Sequence, residues 1–545
     1  MNTLYYGDNL DILRRYVKDE TVDLVYLDPP FKSNQDYNVL FAEQNGTRSA
    51  AQIKAFEDTW RWDEEAARTY QETVETGPEQ VSKVLQAFRT FLGENDMLAY
   101  LSMMSPRLVE LRRVLKSTGS IYLHCDSTAS HYLKLLMDSI FQPENFRNEV
   151  IWKRSYAHSD TRQGSRHYGR ITDSLLCYSK GVAPKWNMQY RPYDSTYIER
   201  DYRRVEANGR RYRIDNLQGP GGAAKGNPKY EVMGVTRYWR YSKEKMDELI
   251  RQGRVIQTRP GAVPQYKRYL DEMPGVPIQN LWDDLPPINN RSKELLGYPT
   301  QKPEALLERI IKTGTDEGDL VLDPFCGCGT AVGVAQKLKR QWIGIDITHL
   351  AITLIRHRLQ DAFGNETKYQ IVGEPVSLPD AEALAKQDPY QFQWWALGLV
   401  GARPVEQKKG ADKGIDGRLY FHDEPKTTKQ IVFSVKAGAL HATYVRDLRG
   451  VVEREKAAIG VLISLDPPSK AMRAEAASAG FYKAPWGKDY ARLQLLTVAD
   501  LLAGKTVDFP RENVTFKKAP KALEPAIETR TLVFDSDIDK TASRG

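Results

Sequence analysis

The sequence predicts an α/β protein whose main sheet is parallel, followed by a second, smaller α/β domain. Apolar strands alternate with helical stretches, polar clusters follow directly after two of the strands, and the alternation resumes after a break. Strands joined by helices are typical of parallel sheets. We expect domains at residues 1–150, 151–290, 291–372 and 391–510, a linker at 373–390 and a tail at 511–545.

The predicted elements follow one another in a regular order. Leu4–Tyr6 and Val22–Leu27 read as strands on either side of a helix at Leu10–Tyr16. The pattern of residues 45–115 is mainly helical. Thr118-Gly119 is expected to end the last helix ahead of a strand at Ser120–His124. A helix from Pro303, a strand at Leu320–Leu322, a further helix and a strand at Trp342–Ile345 complete the predicted sheet.

Composition excludes several classes of protein. The 545 residues are 41% hydrophobic and 27% charged, which is ordinary for a globular chain. No stretch approaches the roughly 18 apolar residues of a membrane span, and the N-terminus lacks signal-peptide features, so we expect a cytoplasmic protein without a membrane partner. The 4 cysteines make no disulfide framework. Cys326-x-Cys328 has no second ligand pair nearby, which argues against zinc.

Positive charge is concentrated in one segment. Residues 151–280 contain 25 Lys/Arg and 13 Asp/Glu, a balance of +12, whereas the whole chain carries +7. The same segment holds 13 of the 29 tyrosines. Cations that neutralise phosphates and aromatic faces that stack on bases suit nucleic acid. A solvated basic surface over a small tyrosine-rich core is the alternative interpretation.

The first polar cluster is Asp323-Pro324-Phe325-Cys326-Gly327-Cys328-Gly329-Thr330, which follows an apolar strand and opens a helix. Glycines let a backbone approach a ligand, and a helix N-terminus offers N–H groups to an anion. Asp346 ends the next strand, where a carboxylate can accept ribose hydroxyls. The cluster lacks the Lys of a Walker loop, and Gly333 falls one position late for a dinucleotide fingerprint, which argues against a nicotinamide-dependent enzyme.

The second cluster is Asp28-Pro29-Pro30-Phe31, again directly after an apolar strand. Consecutive prolines fix the backbone, so the Asp28 carboxylate and the Pro29 carbonyl have set directions. Two acceptors beside an aromatic face match the needs of an exocyclic amino group on a planar base. A simple turn is the alternative interpretation of this cluster.

Taken together, these motifs resemble the amino-methylating DNA methyltransferases of the β order, a family that uses S-adenosylmethionine. Asp28-Pro29-Pro30-Phe31 matches the catalytic motif of the family and Asp323–Thr330 matches its cofactor loop. Gly7-Asp8, Pro299–Pro303 and Asp346 match further cofactor-binding elements. The resemblance covers residues 1–370, implies a Rossmann-like fold, and places the basic segment in the position of the target-recognition region.

The resemblance also implies roles for individual residues. Asp28 and Pro29 would hold the amino group of a flipped-out base in double-stranded DNA, Pro30 would fix the motif, and Phe31 would stack on the base. The motif favours adenine N6 over cytosine N4. The implied cofactor-binding residues are Asp8, Gln301, Lys302, Pro303, Asp323, Pro324, Phe325, Gly327, Gly329, Thr330 and Asp346. Candidate DNA contacts are Lys153, Arg154, Arg162, Arg166 and Arg170.

Two smaller groups of residues remain open. His124 and Asp126 lie at the end of the predicted strand Ser120–His124, where a hydrogen-bonded strand-end pair and pocket residues are both compatible with the pattern. Asp58, Trp60 and Trp62 fit the entrance of a substrate pocket and fit helix packing equally well.

The C-terminal domain carries a third motif. Asp416 precedes an apolar strand, and Ser434 and Lys436 lie on one face of the next, so Asp416 and Lys436 are expected to converge. This resembles the Mrr-like branch of the PD-(D/E)xK endonucleases, which implies Mg²⁺ bound at Asp416, DNA cleavage and a restriction–modification polypeptide. Ser434 stands where that family usually has Glu or Gln, so either another acid, Glu406 or Glu453, substitutes or metal binding is weak. The alternative is an inactive nuclease fold used for DNA binding or assembly. Assembly, including a homodimer, is left open.

Overall fold

The computed structural model describes residues 1–30, 62–156, 166–289, 292, 294–296, 298, 300–364, 367–405, 414–424, 427–485 and 487–510. Contacts divide the chain into two compact units. Unit 1 comprises Met1–Asn187 and Asn280–Gly545, and unit 2 is Met188–Gln279. No helix of the described residues is long and apolar enough to cross a membrane. All 4 cysteines are buried free thiols.

The described strands are numbered in chain order. Before residue 188 they are β1 (Asn2–Tyr6), β2 (Val22–Leu27), β3 (Leu115–Cys125), β4 (Phe146–Lys153) and β5 (Thr172–Ser179). Unit 2 contains β6 (Tyr190–Arg191), β7 (Arg204–Val205), β8 (Arg211–Asn216), β9 (Lys229–Val232), β10 (Val235–Tyr238), β11 (Val255–Ile256), β12 (Gln265–Tyr269) and β13 (Val276–Pro277). After it come β14 (Leu281–Trp282), β15 (Leu320–Asp323), β16 (Gln341–Asp346) and β17 (Tyr369–Val372). The C-terminal strands are β18 (Arg403–Pro404), β19 (Gly417–Glu424), β20 (Thr427–Lys436), β21 (Ile459–Ser464), β22 (Phe481–Lys483), β23 (Asp489–Ala491) and β24 (Leu493–Thr497).

The described α-helices are numbered in the same way. The first five are α1 (Asn9–Tyr16), α2 (Glu64–Thr76), α3 (Glu79–Leu92), α4 (Asp96–Val114) and α5 (Ser130–Phe141). Unit 2 has α6 (Ser195–Asp201) and α7 (Lys243–Arg251). The remaining helices are α8 (Glu304–Gly314), α9 (Thr330–Lys337), α10 (His349–Phe363), α11 (Leu378–Gln387), α12 (Pro389–Leu399), α13 (Ala442–Arg454), α14 (Lys470–Ser478) and α15 (Val498–Leu502).

The main sheet of unit 1 has the described strand order β14-β4-β5-β3-β2-β15-β16-β1-β17. Its neighbouring strands pair in parallel, except that β5 is antiparallel to β3 and β4. All six residues of β2 are buried, which explains why this strand reads as a continuous apolar run. Asp23 is the one charged residue of β2, and its buried carboxylate pairs with the ammonium group of Lys116 at 2.8 Å. The predicted Rossmann-like α/β class is confirmed.

The boundaries of β3 and of the basic segment differ from the predictions. β3 begins at Leu115, directly after α4, and the pairing with β2 shifts between Val22 and Leu24. Thr118-Gly119 therefore lies within an irregular strand rather than ahead of one. The predicted boundary at residue 151 falls inside β4, and β4, β5 and β14 all belong to the main sheet. Unit 2 is thus narrower than the predicted 151–290 region, because apolar side chains of β4 and β5 complete the sheet.

Unit 2 is built from small antiparallel sheets. Its largest sheet has the order β11-β12-β8-β7, and β9 and β10 form a separate hairpin. Trp239, fully buried, packs with Leu217, Met246 and Leu249 in its apolar cluster. The unit carries 18 Lys/Arg and 11 Asp/Glu, a balance of +7. Its charge is therefore positive even without the residues before Met188.

The C-terminal sheet has the order β18-β19-β20-β21-β24, with β20, β21 and β24 parallel. Residues 373–390 were predicted as a linker, but much of this segment is helical. Ser377 and Asp380 form a reciprocal capping box that starts α11, and Asp388 caps α12. Ala381 of α11 and Trp395 of α12 are buried in the same apolar cluster as the C-terminal strands. The two helices therefore form part of the C-terminal core, which the polar and Pro-containing sequence concealed.

Candidate active site

The two polar clusters lie side by side at one edge of the main sheet. β2 and β15 are hydrogen-bonded parallel neighbours, with Val25 opposite Leu322. Asp28 follows the end of β2, and Asp323 is the last residue of β15. Because parallel strands end on the same side, both carboxylates emerge at the carboxyl edge of the sheet, where α/β proteins bind ligands.

Lys302 links its own segment, residues 300–303, to the Asp28 cluster. Its ammonium group donates to Oδ2 of Asp28 and, at 3.3 Å, to the carbonyl of Thr300. The two side chains of the ion pair are 14% and 22% exposed. Desolvation of such charges is offset only when they are matched to each other. The pair therefore holds residues 300–303 against Asp28.

The rest of this segment is braced by its own neighbours. The side chain of Gln301 accepts the N–H of Leu296 at 2.9 Å and donates to the carbonyl of Glu294 at 2.6 Å. Pro303 is buried and precedes the first residue of α8. Thr300 has a positive φ of 56°, which is uncommon for a residue with a Cβ. Gln301 and Pro303 thus shape the backbone that presents Lys302.

The glycine loop after β15 depends on two left-handed residues. Gly327 and Gly329 have φ values of +50° and +72°. A Cβ at Gly329 would lie 2.6 Å from Cγ1 of Ile355, and one at Gly327 would lie 3.0 Å from the ring of Tyr298. Both conformation and space therefore require glycine here, as the sequence pattern indicated.

Buried contacts anchor the start of the loop. Asp323 is 4% exposed, and its Oδ1 accepts the N–H of half-buried Phe325 at 3.1 Å. Burial raises the pKa of the Asp323 carboxyl well above its usual value. The carbonyl of Pro324 accepts a hydrogen bond from the Asn9 side chain at 2.8 Å. Thr330 then begins α9 and is itself buried.

Asp346, at the end of β16, is bound to the same loop. Its Oδ2 accepts the N–H of Gly327 at 2.9 Å, and its Oδ1 accepts both the N–H and the hydroxyl of Thr348 at 2.9 Å. Burial raises the pKa of Asp346 to about 6, against the opposing effect of these hydrogen bonds. The carboxylate retains acceptor capacity for hydroxyl donors.

Asp8 has a clear structural task at the start of α1. Its carboxylate caps the helix by accepting from Leu10 N at 2.9 Å, and it pairs with Arg107 at 2.6 Å. Arg107 also donates to Asn9 at 2.6 Å, and Asn9 in turn holds Pro324. Arg107 and Asn9 were not predicted as site residues, because Arg107 reads as an ordinary charge on a long helix.

A buried polar chain lies behind the Asp28 motif. Tyr26, two residues before Asp28, bonds Nδ1 of His124 at 3.0 Å, and Nε2 of His124 lies 3.1 Å from Asp173. Arg154 pairs with Asp173 at 3.3 Å. His124 thus has partners on both ring nitrogens, but they are not Asp126, which caps the following turn through Thr128 and Ala129.

A second buried group lies at the start of α10. The ring of His349 stacks on Tyr6 with centroids 3.7 Å apart, and its Nδ1 lies 3.2 Å from Glu374. The backbone N–H of His349 donates to the side chain of Gln391, in α12, at 3.4 Å. Burial lowers the pKa of His349. This group was not predicted, because its members are distant in sequence.

The predicted DNA contacts lie in different surroundings. Arg166 and Arg170 are exposed, whereas Lys153 is half-buried in β4. Arg154 is turned to Asp173 within the protein. Arg162 lies outside the described residues, as do Phe31, Pro299, Asp58 and Trp60. Trp62 packs edge-on against Tyr70.

The predicted nuclease residues converge in the C-terminal sheet. Oδ2 of Asp416 accepts the N–H of Val435 at 2.6 Å and lies 3.8 Å from Nζ of Lys436. Ser434 lies on β20, the same strand as Lys436, and its side chain is buried. Among the described residues no group of three or more His, Cys, Asp or Glu side chains forms a potential metal site. Glu453 faces Arg449 at 3.5 Å, and Glu406 lies outside the described residues.

Comparison with known families decides the class of the main domain. Residues 22–356 match the model of the N6/N4 methyltransferases, described as "DNA methylase". The chain belongs to this DNA methylase family. Residues 390–503 match a model described as "NACHT-associated inactive Restriction Endonuclease 1". The C-terminal domain is thus similar to a restriction-endonuclease-like family that is described as inactive.

Individual relatives agree with the family match. The DNA methylase is 30% identical over 263 residues to Type II methyltransferase M.EcaI of Enterobacter cloacae, covering 48% of this chain and 57% of that protein. It is 27% identical to the StyLTI Mod subunit of Salmonella typhimurium, covering 62% and 50%. It is 23% identical to the DNA adenine methyltransferase YhdJ of Escherichia coli, covering 66% and 83%. The chain spans about half the length of the first two relatives.

Solved structures resemble the main domain only distantly. A putative DNA modification methylase from Thermus thermophilus, complexed with S-adenosyl-L-methionine, has a TM-score of 0.32 and 13% identity, covering 68% of this chain and 100% of that one. The cytosine-N4-specific PvuII DNA methyltransferase has a TM-score of 0.32 and 15% identity, covering 65% and 85%.

Proposed function

We propose that this DNA methylase transfers a methyl group from S-adenosylmethionine to the N6 amino group of adenine in double-stranded DNA. The carbon–sulfur bond of the donor breaks as the carbon–nitrogen bond forms, S-adenosylhomocysteine leaves, and the amino nitrogen releases one proton. The observation that carries the proposal is the ion pair between Asp28 and Lys302, at the edge where β2 and β15 lie side by side. The ion pair joins the proposed amino-binding motif to the Lys302 segment, and the pairing of β2 with β15 supports a glycine loop at the same edge. A methyl group can pass between two ligands only when both are held at one site.

The residues at this edge fit the methyl donor. Asp346 offers a carboxylate to ribose hydroxyls, and the loop that it contacts carries glycines where side chains would intrude. The ammonium of Lys302 is a suitable partner for the carboxylate of the donor. When bound, S-adenosylmethionine supplies a methyl group that its sulfonium already activates, so the chain needs no strong nucleophile of its own.

The protein's task is then to hold and orient the base. The Asp28 carboxylate and the Pro29 carbonyl accept the two amino hydrogens, and the rigid Pro29-Pro30 backbone fixes their directions. Lys302 occupies an acceptor position on Asp28, so an incoming amino group replaces it there. Phe31 is proposed to stack on the base. The amino group of a base that is stacked inside a duplex cannot reach these two acceptors. The base must therefore be flipped out of the duplex.

Two bases remain to be distinguished. The Asp-Pro-Pro-Phe order favours adenine N6, and one relative that matches over most of its length is a DNA adenine methyltransferase. Cytosine N4 is the alternative. The two differ in the ring beside the amino group, not in the acceptors that the amino group needs.

Unit 2 is proposed to contact DNA. It is positively charged, and several arginines stand exposed on its strands and loops, including Arg203, Arg204, Arg211, Arg237 and Arg240. Other arginines are committed to carboxylates within the unit, such as Arg210 to Asp271 at 2.8 Å. The exposed set is therefore the better candidate for phosphate contacts.

We further propose that the C-terminal domain contacts DNA without cutting it. Asp416 accepts a backbone N–H and lies near Lys436, and Ser434 supplies a neutral hydroxyl where the related nucleases have an acid. A hydroxyl is a weaker ligand for Mg²⁺ than a carboxylate. The described inactivity of the matching family supports the same conclusion.

Methylome sequencing tests the main proposal. A host expressing the wild-type chain should acquire N6-methyladenine at one recognition sequence, and a host expressing Asp28→Ala should not. Methylation at cytosine N4 would move the proposal to the alternative base, and the absence of any new mark would contradict it.

Plasmid cleavage with Mg²⁺ tests the C-terminal proposal. Neither unmethylated nor premethylated DNA should be cut. Cutting that Asp416→Ala abolishes would show an active nuclease.

A further inference from the structure

A buried arginine links the two segments that the proposed function assigns to the methyl donor. Arg358, in α10, is 3% exposed. Its Nη1 donates to Glu304 at 3.1 Å, and its Nη2 lies 3.5 Å from the hydroxyl of Thr330 and 3.9 Å from the sulfur of Cys328. One guanidinium group therefore contacts both the start of α8 and the glycine loop.

These two contacts define a spacing. Glu304 is the first residue of α8 and follows Lys302 by two positions, while Thr330 is the first residue of α9. Lys302 reaches Asp28, and the glycine loop reaches Asp346. The guanidinium group of Arg358 therefore connects the Lys302 segment to the glycine loop.

Gly333 acquires a purpose from the same residue. It stands one position late for a dinucleotide fingerprint, and nothing in the proposed chemistry uses it. A Cβ at Gly333 would lie 3.1 Å from Cδ of Arg358. The absence of a side chain on this turn of α9 therefore gives the buried arginine its space.

Packing alone does not account for an arginine at this position. Nε of Arg358 is buried without a hydrogen-bond partner among the described residues. An apolar side chain of similar volume commonly serves stability as well as a buried ion pair does. A guanidinium, in contrast, holds two partners at once in a rigid planar geometry.

We propose that Arg358 is a positioning residue for the methyl donor. It fixes the Lys302 segment and the Thr330 end of the glycine loop at the separation that the donor requires. This inference rests on the proposed function, because it concerns how the same site is assembled. Because Arg358 is buried, we expect it to act through these two segments rather than through contact with the donor.

The test is direct binding of S-adenosylhomocysteine to the full chain by titration calorimetry. Arg358→Met should weaken binding by about 10- to 100-fold, as expected when a hydrogen-bonded charge that orders a site is lost. Arg358→Lys, which can still pair with Glu304, should lie between Met and wild type. In methylation assays KM for S-adenosylmethionine should rise more than kcat falls.

Arg340→Met is the matched control. Arg340 donates to Thr315 and to the carbonyl of Leu338, so it braces unit 1 without contacting the glycine loop. Arg340→Met should lower the melting temperature and leave the affinity for S-adenosylhomocysteine unchanged. Glu304→Gln, which preserves side-chain shape, should weaken binding in the direction of Arg358→Met and provides the test if that variant does not fold.

The outcomes are distinguishable. No binding of S-adenosylhomocysteine by the wild-type chain would contradict the proposed function itself. Wild-type affinity in Arg358→Met or in Glu304→Gln, with a lowered melting temperature only, would overturn the positioning role and leave the proposed function standing.

Discussion

The ammonium of Lys302 donates to the carboxylate of Asp28, although 274 positions separate the two residues in sequence. Each is largely buried by the surrounding edge of the sheet. The pair means that the proposed catalytic carboxylate is held in place, with its charge matched, before a base arrives. An amino group that replaces the ammonium finds an oriented acceptor rather than a mobile one.

Two substitutions of Asp28 should separate the role of its acceptor oxygens from the role of its negative charge. Asp28→Asn keeps one carbonyl acceptor and should methylate DNA slowly, whereas Asp28→Ala removes both oxygens and should lose about 10²- to 10³-fold or more in kcat. Transfer of a labelled methyl group to DNA measures this order. Asp19→Ala, which removes an exposed carboxylate paired with Arg113, is the control and should be fully active. Equal rates for Asp28→Ala and wild type would exclude Asp28 from the chemistry.

The buried carboxyl of Asp346 should make stability depend on pH. Its pKa is about 6 when folded, above the roughly 3.9 of an unfolded Asp. Between these values the folded state holds a proton that the unfolded state has released, so stability falls as pH rises through 6. The melting temperature of the wild-type chain relative to Asp346→Asn should decrease from pH 4.5 to 7. A constant or increasing difference would contradict the assignment.

The glycine loop offers a test of crowding against backbone strain. Gly329→Ala combines a left-handed φ with a Cβ 2.6 Å from Ile355, whereas Gly364→Ala has φ +65° and no atom within 4 Å of the added Cβ. Gly364→Ala should cost about 1 kcal/mol from strain alone. Gly329→Ala should cost more and should also weaken S-adenosylhomocysteine binding. Thermal melting and calorimetry measure both, and equal losses in the two variants would contradict the crowding argument.

A Gly→Ala change inside a helix usually stabilises a protein. At the contact between α10 and α12 we expect the opposite effect. A Cβ at Gly398 would lie 2.6 Å from the hydroxyl oxygen of Thr353. Gly398→Ala should therefore destabilise the chain, and the double variant with Thr353→Ala should recover part of the loss. Gly450→Ala, in α13 with nothing within 4 Å, should instead stabilise by about 0.5–1 kcal/mol. Melting temperatures of the four proteins check the order, and stabilisation by Gly398→Ala would refute it.

Local signals in the sequence were sufficient to predict much of the fold and the position of the two polar clusters at strand ends. Apolar runs that end in Asp28, Asp323 and Asp346 predicted three strand ends, and the glycines between them predicted a ligand-approaching loop. These features depend on neighbours in the chain, which is why periodicity and turn residues reveal them.

What could not be predicted depends on distant partners. Arg107 and Arg358 look like ordinary helical charges in the sequence. Folding brings Arg107 to Asn9 and Arg358 to Thr330, and it stacks His349 on Tyr6. The helix α11 was missed because its polar residues and its proline resemble a linker, although Ser377 and Asp380 form a recognisable cap.

Unit 2 begins and ends at paired strands. β6 lies antiparallel to β13, with Arg191 opposite Val276, and Ile278 donates to the carbonyl of Gln189 at 2.9 Å. A segment whose first and last strands pair with each other enters and leaves the rest of the chain at neighbouring points. Such a segment can be replaced as one piece without a change in the backbone on either side of it. If the DNA contacts proposed for unit 2 select the target sequence, exchange of this one segment would change the recognition sequence in a single recombination event and leave the methyl-transfer site unaltered.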